Sequence, residues 1–185
     1  MKNIFSYDDQ TFYFNFSKFL EKRSQRNTKI TGKVKKIIED VKINKDTAII
    51  KYVKMFDRID LDSSELFFRQ DELNESKGKI DVKDKEAIDL SISRILEFHR
   101  KQMPANLSWK DELGIELGWI WKPVERVGVY VPGGKASYPS SAIMNIAPAK
   151  IAGVENIVLA SPTPSGNYNP LLIYAASALN ITEIL

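Results

Sequence analysis

The residues best placed to do chemistry lie in one short run. Tyr130 is followed by Val131 and then by Pro132, Gly133 and Gly134. Glycines remove side chains, so a ligand can approach the backbone closely there. The segment Pro139-Ser140-Ser141 then reads as the entry to a helix. The unpaired N–H groups of a helix N-terminus suit a phosphate or a carboxylate. Tyr130 could lay its ring against a flat ligand, Lys135 could pair with an anion, and Ser140 or Ser141 could touch the ligand or cap the helix. The plain alternative is a tight strand exit, with the glycines there for backbone geometry and Lys135 in solvent. The run reads P-G-G-K-A-S, so the G-x-G-x-x-G fingerprint is missing.

Other side chains of catalytic type are scarce. The 185 residues contain no cysteine and one histidine, His99. That excludes a disulfide scaffold, a cysteine nucleophile and a thiolate metal site, and leaves no His-rich metal set. His99 shares an apolar stripe with Ile92, Ile95 and Leu96, and is expected to be a half-buried, hydrogen-bonded structural residue.

The elements around these residues follow from periodicity. Ile30, Val34, Ile37, Ile38 and Val41 mark an amphipathic helix capped by Asn27 or Thr28. Asp46 is expected to cap the next helix, Glu65 to Arg69 to form a short strand, and Asp71 to start a short helix. Asp81 or Asp84 should open a longer helix that ends before Met103-Pro104. Ile115, Leu117, Trp119 and Trp121 alternate with other residues over 114–122, which predicts a half-buried strand with the tryptophans in a core or an interface.

Beyond it, Arg126–Val131, Asn156–Ala160 and Ile181–Leu185 read as strands, separated by helices beginning near Pro139 and at Pro170. Pro148 should kink or divide the first of these helices, with Gly153 ending it and Asn180 capping the second. The order strand–helix–strand–helix–strand predicts an α/β fold: a helical N-terminal region with short strands, then an incomplete parallel βαβαβ unit. In such sheets a ligand binds outside the carboxyl ends of the strands.

Composition divides the chain near residue 125. Residues 126–185 hold only three of the 27 basic and two of the 24 acidic residues, so that part is expected to pack on more than one side. Two regions are therefore expected, 1–125 and 126–185. The net charge of +3 demands no nucleic-acid face, and no apolar run is long enough to span a membrane. The opening MKNIFSYDDQTF lacks the apolar core of a signal peptide, which fits a cytoplasmic location.

The stretch ERVGVYVPGG, followed by YPSSAIMNIAPAKIAGVENIVLASPTP, resembles the central signature of histidinol dehydrogenase. Val34 to Ala48, Tyr52, Phe56-Asp57 and Phe98-His99 are similar to that family's N-terminal region. The resemblance implies a zinc-dependent homodimer with Rossmann-like domains that lack the standard fingerprint. It would oxidise L-histidinol to L-histidine through an aldehyde, reducing two NAD+, as the last step of histidine biosynthesis. Tyr130 then matches an NAD-contacting tyrosine, and Pro132, Gly133, Gly134 and Ser140 would line the same pocket.

Two departures stand out. Lys135-Ala136-Ser137 replaces the family's usual Ser or Thr followed by Ala-Pro. Family members are also more than twice as long, and their G-G-A-Q motif, catalytic Glu-His pair and zinc ligands have no counterpart here. The expectation is an N-terminal portion that is inactive alone, with no catalytic or metal-binding residue of its own. A cloned piece, a truncated reading frame and one part of a split protein all fit. The alternatives are a related oxidoreductase of another small alcohol and a non-catalytic nucleotide-binding or dimerisation module.

Overall fold

The computed structural model describes residues 5–24, 28–133 and 138–185. Asn27, Gly134 and Lys135 lie outside the described residues. The chain forms two compact units, Met1–Ile49 and Ile50–Leu185. The change in composition at residue 125 falls inside the second.

The first unit contains α1 (Phe12–Ser24) and most of α2 (Thr28–Phe56). The break expected at Asp46 is present: Lys45, with φ 46°, leaves helical geometry inside α2. Ile30, Val34 and Ile38 remain exposed along the helix. On α1, the rings of Phe12 and Phe16 stack with centroids 5.3 Å apart.

In the second unit, residues 65–69 do not form the expected strand. The Asp62 carboxylate accepts from the Ser64 N–H at 2.7 Å, and the Glu65 carboxylate accepts from the Asp62 N–H at 2.9 Å. This reciprocal capping box favours a helical turn, and a 3₁₀ turn spans Ser63–Glu65. α3 (Gln70–Gly78) follows, with Asp71 in its first turn rather than at its cap. α4 (Val82–Arg100) starts where the sequence reading put it. Asp81 caps it, accepting from the Asp84 N–H at 3.0 Å.

β1 (Leu107–Lys110) and β2 (Glu116–Trp119) form an antiparallel hairpin, with Leu107 opposite Trp119. The period-two strand is therefore real, but it is not half-buried. Every residue of both strands is exposed, and so is Trp121. The Trp109 and Trp119 rings pack edge to face at 5.7 Å, and the Trp119 indole donates to the Ala105 carbonyl at 3.1 Å. A two-stranded ribbon with no layer against it among the described residues has no core in which to bury its tryptophans.

β3 (Arg126–Tyr130), α5 (Pro139–Ile151), β4 (Asn156–Ala160), α6 (Pro170–Ala178) and β5 (Glu183–Ile184) make the expected parallel unit, with strand order β3-β4-β5. Val127 pairs with Ile157, Val129 with Leu159, and Leu159 with Ile184. These residues point to one face and join α4, α5 and α6 in a core that includes Val131, Ile143, Ile146, Leu172 and Ile173.

Two local expectations at α5 are corrected. Neither serine caps the helix: Tyr138 occupies the cap position without a side-chain bond, and Pro139 is the first helical residue. Proline suits that place, because the N–H it lacks would have no partner there. Pro148 does not divide the helix. It lies near the C-terminal end, where one missing backbone bond costs little of the ladder. Both helices end as expected. Gly153 (φ 90°) and Asn180 (φ 56°) adopt the left-handed conformation. The next N–H reaches back in each case, from Val154 to Ala149 and from Ile181 to Ala176, both at 3.0 Å.

Candidate functional site

The three parallel strands end together. Past the last paired residues, Val131 N–H donates to the Ala160 carbonyl at 3.0 Å, Leu185 N–H to Leu159 at 2.8 Å, and Ser161 N–H to Leu185 at 3.0 Å. These bonds hold the segments after β3, β4 and β5 side by side. Gly133 packs directly on the backbone of Pro162; a β-carbon there would run into the Pro162 carbonyl oxygen. The loops after β3 and β4 are thus in contact because residue 133 carries no side chain.

A cavity of about 190 Å³ lies beside that contact, lined by Gly133, Ser161, Pro162, Thr163, Asn167, Tyr168, Asn169, Leu185 and the apolar residues Phe68, Leu172, Ile173 and Ile184. It stands outside the carboxyl ends of the strands, where an open α/β sheet binds its ligand. The wall opposite Gly133 is built by residues distant in sequence. Phe68 N–H donates to the Ile184 carbonyl at 2.8 Å, which fixes Phe68 at the edge of β5. The Tyr168 ring stands edge-on to Phe68, with centroids 5.1 Å apart. Its hydroxyl lies 3.1 Å from the Ser76 hydroxyl and 3.5 Å from the Lys79 ammonium. The Glu75 carboxylate, and after it the Tyr168 hydroxyl, hold Lys79 above its ordinary pKa. Among the described residues lining the cavity, Tyr168 has the only ionisable side chain, and the other side chains offer apolar contact and neutral hydrogen-bonding groups.

The residues singled out in the sequence are only partly brought together. Gly133 lines the cavity, while Tyr130, Pro132 and Ser140 do not. Tyr130 lies at the end of β3 on the other face of the sheet, with 64% of its surface exposed. Ser140 borders a separate groove of about 200 Å³ between α4 and the start of α5, with Asp84, Ser91 and Leu171. Phe68, Asn167 and Tyr168 were not anticipated. The signal for the last two was an aromatic residue just before the Asn169-Pro170 helix start.

His99 is half-buried, and its Nδ1 lies 2.7 Å from the Gln102 side-chain oxygen, as expected of a structural histidine. Among the described residues, no three His, Cys, Asp or Glu side chains converge as metal ligands. The residues present therefore do not fit a zinc site. For a dinucleotide the cavity offers only part of what is needed. The cavity is smaller than the roughly 300–1,000 Å³ usual for ligand pockets; Gly133 bares its backbone to it, whereas the exposed ring of Tyr130 stands on the other face of the sheet.

A parallel βαβαβ unit with a glycine-spaced cleft at its carboxyl ends defines a Rossmann-like α/β protein. The sequence model of the family "Histidinol dehydrogenase" matches residues 20–185. Histidinol dehydrogenase of Cereibacter sphaeroides is 39% identical over 173 residues, which cover 94% of this chain and 40% of that protein. That of Brucella abortus is 39% identical over 176 residues, covering 95% and 41%. The crystal structure of histidinol dehydrogenase from Elizabethkingia anophelis superposes with a TM-score of 0.79 at 31% identity, covering 84% of this chain and 36% of that one. The chain belongs to the histidinol dehydrogenase family, and it spans about 40% of the length of the curated relatives it matches.

Proposed function

We propose that this chain is the NAD-binding portion of a histidinol dehydrogenase, acting in the cytoplasm within a homodimer whose remaining length supplies the zinc site and the acid–base groups. The observation that carries the reading is the cleft at the carboxyl ends of β3 and β4, in a chain of this family. Tyr130 would lie against a flat ring of NAD, and Pro132, Gly133 and Gly134 would present backbone to it. Ser140, two residues after Tyr138 at the start of α5, would reach the cofactor from the helix end. When bound, NAD supplies the hydride acceptor for oxidation of an alcohol to an aldehyde and of the aldehyde to an acid. Each oxidation also needs a group that removes a proton. Among the described residues lining the cleft, no side chain is a histidine or a carboxylate.

The reading is tested by titrating NAD into the 185-residue chain and by measuring NADH formation with histidinol. Weak NAD binding without turnover is expected. Robust turnover by this chain alone would overturn the division of labour.

A second reading, a non-catalytic docking module, is favoured by one observation: the exposed apolar surface of the β1–β2 hairpin, where Leu107, Trp109, Leu117 and Trp119 all face solvent.

A further inference from the structure

Tyr168 has its two ends in different surroundings. It lines the cavity beside Phe68, Leu172, Ile173 and Ile184. Its hydroxyl is engaged by α3, through Ser76 at 3.1 Å and Lys79 at 3.5 Å, and neither of these residues belongs to the lining. Ser76 has no exposed surface, and its hydroxyl also donates to the Glu72 carbonyl at 2.8 Å. The polar end of Tyr168 is thus committed to α3, and the ring is what remains for the cavity. Phe68 braces that ring edge-on at 5.1 Å.

The loop that carries Tyr168 is tied on either side of it. Ser165 N–H donates to the Asp57 carbonyl at 2.8 Å, and the Asn169 side chain accepts from the Leu171 N–H at 2.9 Å. Ser165 holds a left-handed backbone with φ 56°. A residue other than glycine keeps that conformation where its surroundings over-determine it. The wall is therefore set before any ligand arrives, and a wall already in place binds at a lower ordering cost.

The chemistry of the lining selects the guest. At about 190 Å³ the cavity holds part of a dinucleotide and not the whole. Among the described residues lining it, no side chain carries a full charge at neutral pH. A phosphate entering it would give up water without meeting a cation, which is costly. The rings of Phe68 and Tyr168 offer flat apolar contact, and Ser161, Thr163 and Asn167 bring hydrogen-bonding groups to the same space. A planar nitrogen heterocycle has both the apolar faces and the polar edge that such a lining matches. We propose that Tyr168 is the specificity-determining residue of this cavity. Its ring, held by Ser76 and Phe68, takes a planar nitrogen heterocycle, and the uncharged lining turns phosphate away. The proposal rests on the cofactor reading, in which the heterocycle is the adenine or the nicotinamide end of NAD.

Nuclear magnetic resonance and calorimetry on the 185-residue chain test it, with adenosine, nicotinamide and inorganic pyrophosphate as probes. Adenosine or nicotinamide should shift the ring resonances of Phe68 and Tyr168, and the one that does so identifies the end of the cofactor that enters. Pyrophosphate should leave them in place. Tyr168→Leu should weaken binding of that heterocycle about tenfold, the scale of one aromatic contact. Tyr168→Phe keeps the ring and loses its tether. That variant and Ser76→Ala should each weaken binding about threefold, and the double variant no more than either, because both remove the same bond. Variants that unfold earlier yet bind the heterocycle as tightly as the parent chain would reduce Tyr168 to a structural role and overturn the proposal. So would resonances that pyrophosphate moves, or that neither heterocycle moves. NAD binding that leaves these resonances in place would overturn the proposal and spare the cofactor reading. Heterocycle binding here in a chain that does not bind NAD would support the role of Tyr168 and overturn the cofactor reading.

Discussion

Gly133 and Pro162 meet at the ends of two parallel strands, and the contact is possible only because residue 133 has no β-carbon. The reason for glycine here is the spacing of two loops rather than a left-handed backbone, since Gly133 is not among the glycines with positive φ. Gly133→Ala should therefore act as overpacking and destabilise the chain by about 1–3 kcal/mol. Gly128→Ala, which enters open space, should change stability by no more than about 0.5 kcal/mol. Urea denaturation of the two variants checks the contrast, and equal effects would refute it.

Tyr130 is largely exposed, so its ring contributes little to the fold of this chain. Tyr130→Ala should leave the thermal unfolding transition of the chain in place. In the full-length enzyme it should weaken NAD binding by up to roughly tenfold, the scale of one aromatic contact. Tyr130→Phe should keep most of that affinity. Calorimetric titration reads both variants, and unchanged affinity in Tyr130→Ala would remove the residue from the cofactor site.

Ile146 has no exposed surface and sits in the core between α5 and the sheet, whereas Met144 on the same helix is half exposed. Ile146→Ala should cost about 2–5 kcal/mol through lost burial and the cavity left behind. Met144→Ala should stay within about 0.5 kcal/mol. Denaturant midpoints of the two variants make the comparison.

Tyr174 on α6 donates to both carboxylate oxygens of Asp89 on α4, at 3.1 and 3.0 Å. Desolvation, followed by the bond to Asp89, raises its pKa above the ordinary tyrosine value. The folded chain thus holds the phenolic proton more tightly than the unfolded chain. The resulting stability is fully present below the unfolded pKa and is lost as pH rises through the folded one. Stability should fall above about pH 10, and Tyr174→Phe should flatten that fall while lowering stability at neutral pH. An unaltered slope in the variant would show that this proton does not contribute.

Much of the parallel unit was legible in the sequence because its signals are local. Pro170, Asn180 and Gly153 punctuate helices by their own backbone preferences, and the apolar runs at Arg126–Val131 and Asn156–Ala160 are short enough to be strands only. The misreadings have equally local causes. Glu65–Arg69 looked extended because its apolar residues are adjacent, yet Asp62 and Glu65 close a capping box that turns the chain. Ser140 and Ser141 looked like caps because of their type, but Pro139 takes the first helical position and moves the cap back to Tyr138.

The candidate site was legible only on one side. The glycines after β3 announce a close approach, but nothing in the order of residues says that the approaching group is the Pro162 carbonyl. The far wall brings Tyr168 against Phe68 and against Ser76, which is 92 positions away, and no periodicity links such partners.

The sequence by itself determined the element order, the family and the scarcity of catalytic side chains, because propensity, capping and motif are carried by neighbouring residues. Only the tertiary structure decided that Tyr130 and Gly133 serve different sides of the sheet and that, among the described residues, the hairpin tryptophans lie outside any core and β3 is an edge strand. Those outcomes depend on which surfaces meet, and that is set by packing between segments far apart along the chain.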